Sequence, residues 1–205
     1  MKRIRILVAD DHALLRRGLV TLLDYQKDLA VVGEAANGRE TVKKAAELKP
    51  DVVILDLSMP LMDGVEVTQK IRETQSETRI LILTSFGTSV DVARAVRSGA
   101  SGALVKDSDD DELLSAIRTV AGGGTAFSPE IKALLNEPLP PELTDRQKEV
   151  LKGIVNGLAS DAIASKLGIS TDAVNQHINA VRAKLGAANR SEAVAIALRK
   201  QLLKI

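Results

Sequence analysis

Five short runs of Val, Ile and Leu alternate with segments of helical periodicity through the first 122 residues. The runs lie near residues 4–9, 30–35, 52–57, 80–85 and 102–106. Unbroken apolar runs of this length are expected of strands covered on both faces. The intervening stripes are built around Leu15, Leu19, Leu22 and Leu23; Val42, Ala45 and Leu48; Val65, Val67 and Ile71; Val92, Ala93 and Val96; and Leu113, Leu114, Ile117 and Val120. Strict β-α alternation implies right-handed crossovers and a parallel sheet. The pattern predicts an α/β doubly wound domain with a five-stranded parallel sheet, ending near residue 122. Aromatic residues make up only 1% of the chain, so its cores must come from Val, Ile, Leu and Ala.

The polar residues that close these runs form one chemical set. IRILVADD ends in Asp10 and Asp11, VVILDL carries Asp56, ILILTS carries Thr84 and GALVKD carries Lys106. In a parallel sheet these side chains meet at the carboxyl edge, where open α/β sheets bind ligands. Magnesium takes one or two protein carboxylates and keeps positions for water and phosphate. Asp11 and Asp56 suit direct ligation, with Asp10 acting through water and the Ser58 carbonyl completing the protein share. Asp56, on the middle strand, is the candidate nucleophile towards phosphorus. Thr84 can donate a hydrogen bond to one phosphoryl oxygen and Lys106 can pair with another. Each residue alone reads as a helix cap, a β-former or a solvated lysine. Their occurrence at successive strand ends is what points to phosphoryl chemistry.

Past residue 122 the pattern changes. GGG at 122–124 and the proline-rich NEPLPPE at 136–142 mark residues 123–141 as a linker, and Ser128-Pro129-Glu130 starts a short helix within it. From 142 to 205 only helices are expected: from Thr144 to about Asn156, over 160–166, from Ser170 or Thr171 to Leu185, and over 191–203. The second and third, joined by LGIS, have the spacing of a helix-turn-helix. The chain's 28 basic and 27 acidic residues divide as 10 against 6 in residues 142–205, and as 18 against 21 before them. An acidic first part joined to a basic second part fits nucleic acid as partner of the second. Its third helix offers Thr171, Asn175, Gln176, Asn179, Arg182 and Lys184 to a major groove, while Val174, Ile178, Val181 and Leu185 form its core stripe. His177, beside that stripe, reads as a packed histidine. The chain has no cysteine, which excludes disulfides and thiolate metal sites. It has neither a signal-peptide pattern nor an apolar stretch long enough for a membrane span, so a cytoplasmic location is expected.

The DD pair, LDLSMPLMDG around Asp56, TS after the fourth run and KD after the fifth resemble the receiver domain of two-component response regulators over residues 4–122. The segment from Leu143 to Val194 resembles the LuxR-type helix-turn-helix, at Leu143, Thr144, Glu149, Gly157, Ile163, Val174, His177, Lys184 and Arg190 among others. Together they resemble a NarL/FixJ-type regulator. The resemblance implies a CheY/flavodoxin-like receiver, phosphotransfer from a sensor histidine kinase to Asp56, a requirement for Mg2+ and double-stranded DNA as partner. It further implies a homodimer on phosphorylation or DNA binding, with Ala193, Val194, Ala197 and Leu198 as a dimer seam. Such a protein is not an enzyme beyond catalysing its own phosphorylation and dephosphorylation.

This chain departs from the resemblance at several positions. Receivers often carry a switch aromatic three residues before the lysine, and Ala103 stands there, leaving Phe86 or repacking of the 89–98 helix as relay. Asn175 and Asn179 replace common lysines, and Asp161 and Asp172 add negative charge near the groove. These last departures support a second reading, a phosphorylation-dependent protein-binding regulator with weak or no DNA binding.

Overall fold

The computed structural model describes residues 3–85, 89–136, 141, 143–199, 202 and 203. The chain divides into two compact units, Met1–Glu137 and Pro138–Ile205, and each is described by itself. Phe86 and the linker residues 137–140 and 142 lie outside the described residues.

In the first unit the apolar runs become strands β1 (Ile4–Ala9), β2 (Leu29–Ala35), β3 (Val52–Leu55), β4 (Arg79–Thr84) and β5 (Gly102–Val105). Between them run helices α1 (Ala13–Asp24), α2 (Gly38–Leu48), α3 (Gly64–Thr74), α4 (Ser89–Arg97) and, after β5, α5 (Asp110–Ala121). All strand pairs are parallel, in the order β2-β1-β3-β4-β5. β3 is buried along its whole length, as its continuous apolar run requires. Alternate residues feed opposite faces of the sheet. Leu7, Val53, Ile82 and Ala103 pack with α2, α3 and α4, while Ile6, Ile54, Leu81 and Leu104 pack with α1 and α5.

The residues assigned to a linker contribute to this unit. Ala126–Phe127 forms a sixth strand, β6, parallel to β5, and α6 (Pro129–Leu135) follows it. The five-run pattern therefore becomes a six-stranded sheet. Its last strand has only two residues, too few to show a period. Ser128 starts α6 as expected, its hydroxyl accepting from the Ile131 N–H.

The second unit is helical: α7 (Asp145–Val155), α8 (Ser160–Leu167), α9 (Thr171–Leu185) and α10 (Arg190–Arg199). Thr144 and Gln147 form the capping box that opens α7. Val174, Ile178 and Val181 are buried, as the stripe predicts, each contributing about 1.5–3 kcal/mol by leaving water. The last helix was expected to reach 203, but α10 is described only to Arg199. Leu202 and Leu203 lie outside it, both buried, and the Leu202 N–H donates to the Ala197 carbonyl.

Candidate functional site

The sheet gathers the polar strand endings at its carboxyl edge. β1 stops at Ala9, and the Asp56 N–H donates to the Ala9 carbonyl at 2.8 Å, holding Asp56 beside Asp10. The Lys106 N–H donates to the Thr84 carbonyl, also at 2.8 Å, bringing the ends of β4 and β5 together. Gly64, which opens α3, permits the return of the chain: a Cβ there would lie 2.7 Å from both the Asp56 carbonyl oxygen and the Leu57 Cα. The Asp63 carboxylate caps α3 in a reciprocal box with Glu66.

Lys106 Nζ lies 2.8 Å from Asp10 Oδ2 and 3.1 Å from Asp56 Oδ2. Asp10 and Asp56 are 2% and 3% exposed, so one cation bridges two buried carboxylates. Burial pushes the Asp56 carboxyl above the usual range. Lys106 pulls it back incompletely, and the Asp10 charge raises it further. Burial acts to lower the Lys106 ammonium, but the two carboxylates prevail and raise it. Asp56 Oδ2 is paired with Lys106 by charge yet receives no aligned hydrogen bond. It is a buried anionic oxygen with coordination capacity to spare.

Asp11 stands exposed at the mouth of this edge. Asp10, Asp11, His12 and Asp56 each offer a ligand atom within 4.8 Å of the others. This donor set, dominated by carboxylate oxygens, fits a hard divalent cation. His12 was not singled out in the sequence, although it directly follows the DD pair. Its Nδ1 lies 2.8 Å from Asp11 Oδ1, and its backbone N–H donates to Asp10 Oδ1 at 2.7 Å. Ser58 is exposed, and its backbone N–H acts on the Asp56 carboxylate. Thr84 is buried, its hydroxyl donating to the Ser85 carbonyl.

In the second unit the expected groove residues differ in how they are held. Asn175, Gln176 and Asn179 are exposed on α9. Thr171 donates its hydroxyl to Asp161 Oδ1 at 2.8 Å, and Ser160 donates to Asn175 Oδ1 at 3.2 Å. These bonds pin the start of α9 to α8. Arg182 turns to the Ala188 carbonyl and to Asn179, while Lys184 Nζ donates to Gln147 Oε1 at 3.0 Å. Arg182 and Lys184 thus brace the domain. Ala193 and Ala197 are fully buried in the unit's own core, with Val194 and Leu198 packed against it.

The family of the response regulator receiver domain matches residues 6–118. The bacterial regulatory proteins of the luxR family match residues 141–197. The chain belongs to the response regulators. The transcriptional regulatory protein LnrK of Bacillus subtilis is 37% identical, over 96% of this chain and 97% of that protein. The response regulator protein VraR of Staphylococcus aureus is 34% identical, over 98% and 99%. The solved structure of ChrA, a response regulator in a heme-sensing two-component system, is 32% identical with a TM-score of 0.60, over 98% of this chain and 100% of that one. Salmonella typhimurium RcsB, at 23% identity and a TM-score of 0.65, shares the fold. This response regulator is accordingly a DNA-binding transcription regulator, a receiver joined to a LuxR-type helix-turn-helix. No helix among its described residues is long and apolar enough to cross a membrane.

Proposed function

We propose that Asp56 is the phosphoacceptor of this regulator and that a sensor histidine kinase supplies the phosphoryl group. The observation that carries this reading is the Lys106 bridge between two buried carboxylates at the end of the middle strands. An Asp56 oxygen attacks the phosphorus, a new P–O bond forms, and the P–N bond to the kinase imidazole breaks. Lys106 holds the product's added negative charge, and Thr84 donates its hydroxyl to a phosphoryl oxygen. When bound, Mg2+ would be held by Asp11, Asp56 and the Ser58 carbonyl with help from Asp10, and would supply neutralisation of the phosphoryl charge. Catalysis is confined to the chain's own phosphorylation and dephosphorylation. The phosphorylated form dimerises on paired half-sites in double-stranded DNA, with Gln176 and Asn179 as the principal base readers. Thr171 and Asn175 set the angle of α9 through Asp161 and Ser160.

Loading with acetyl phosphate and Mg2+, followed by borohydride trapping, tests the acceptor. Homoserine is expected at position 56 by mass spectrometry. Homoserine at another aspartate would overturn the assignment.

A further inference from the structure

The signal must leave a site whose usual aromatic neighbour is absent. Ala103 is fully buried, and in the sheet it lies between Ile82 of β4 and Phe127 of β6. Side chains of paired residues in parallel strands share a face. Ile82, Ala103 and Phe127 accordingly belong to the same apolar cluster, together with Val92, Ala95 and Val96 of α4 and Ile131 and Leu135 of α6. Thr84 is two residues beyond Ile82 and so lies on that same face. α4 packs on α6.

β6 is fastened closely to β5. The Ala126 N–H donates to the Ser101 carbonyl at 3.2 Å, and the Ser128 N–H donates to the Ala103 carbonyl at 3.1 Å. A Cβ at Gly102 would lie 2.4 Å from the Ala126 carbonyl oxygen, so the approach is possible only with glycine there. Ala103 offers only a methyl to this face, and Phe127, its partner on the next strand, packs against the same cluster.

We propose that Phe127 supplies from β6 the aromatic relay that Ala103 lacks. Engagement of Thr84 by the phosphoryl group repacks Ile82, Ala103 and α4 against Phe127, and the displaced element is β6–α6. That segment runs on in sequence into the DNA-binding unit, so the readout passes along the covalent chain. Packed elements of this kind switch between discrete arrangements because a close-packed core does not deform continuously. The inference rests on phosphorylation of Asp56.

The test uses the full chain with and without Mg2+ and beryllofluoride, a phosphoryl mimic, together with Phe127→Leu, which keeps an apolar side chain without the ring, and Phe127→Tyr, which restores it. In the wild type, amide exchange across 126–135 changes on activation. Phe127→Leu loads acetyl phosphate to the wild-type extent but loses at least about fivefold of the activation-dependent gain in DNA affinity, the lower bound of ordinary coupling, and Phe127→Tyr recovers it. If the leucine variant fails to fold, the wild-type exchange result and Phe127→Met decide instead. Normal phosphate loading with unchanged exchange at 126–135, or full coupling in Phe127→Leu or its Met substitute, overturns the relay and leaves the acceptor assignment intact. Failure of the wild type to take phosphate removes both.

Discussion

Asp10 and Asp56 are almost fully buried, and each meets the same ammonium within about an ion-pair distance. Asn175, Gln176 and Asn179 stand exposed on α9, two of them in contact with neighbouring side chains. In the first unit the sheet dictates where the polar groups go, because strand ends in a parallel sheet converge on one edge. In the second, a helix places its residues on a face but does not choose their partners. Buried chemistry is therefore set by topology, whereas surface chemistry is set by local competition for hydrogen bonds.

The largest effect should come from Asp56→Asn. All phosphate loading is lost, as a phosphate-affinity gel will read, while urea unfolding of the metal-free protein shows no loss of stability, because the substitution removes a carboxylate raised by burial. Retained loading would break the contrast at its buried end. Next, Lys106→Ala leaves Asp10 and Asp56 facing one another and should lower stability by about 1–3 kcal/mol, the cost of orphaned buried polar groups, with partial recovery on adding Mg2+.

The exposed end is probed by Gln176→Ala and Asn179→Ala. Each should weaken specific DNA binding by about 1–3 kcal/mol if it makes a bidentate base contact, measured by fluorescence anisotropy against a scrambled site. Arg182→Ala sharpens the distinction between reading and bracing. It should cost about 1 kcal/mol of domain stability through the lost bond to Ala188, while the slope of affinity against salt stays unchanged. A slope reduced by about one would make Arg182 a phosphate contact after all.

The smallest effect belongs to Glu40, held below the usual glutamate range by the Ala36 N–H and by Lys44. A depressed carboxyl stabilises the fold above its unfolded value, and that contribution disappears as pH falls through the folded one. Glu40→Gln should flatten the acid limb of unfolding by only a few tenths of a kcal/mol, as expected for a solvated pair.

Much of this was legible because of periodicity. The strand runs, the edge residues Asp10, Asp11, Asp56, Thr84 and Lys106, and the helix-turn-helix all follow from spacing and from caps such as Thr144 and Ser170. β6 was not legible, since two residues carry no period and its pairing depends on Gly102. The partners of Arg182 and Lys184 were equally hidden: Ala188 follows the turn after α9, and Gln147 lies 37 positions away from Lys184 in the chain. Asp161, read as a repulsive charge near DNA, also accepts the Thr171 hydroxyl. Such contacts arise only when separate helices have met.

The strand beside Gly102 also says where this protein can be cut and rejoined. A chimera that keeps the receiver only to the glycines at 122–124 would strip a strand from the sheet and the helix that packs on α4. One spliced after Asn136 carries both along. Recombination, in the laboratory or in evolution, therefore has a natural seam some fourteen residues later than the glycine-rich boundary advertises, and a foreign output domain attached there inherits the receiver's last strand as its own leash.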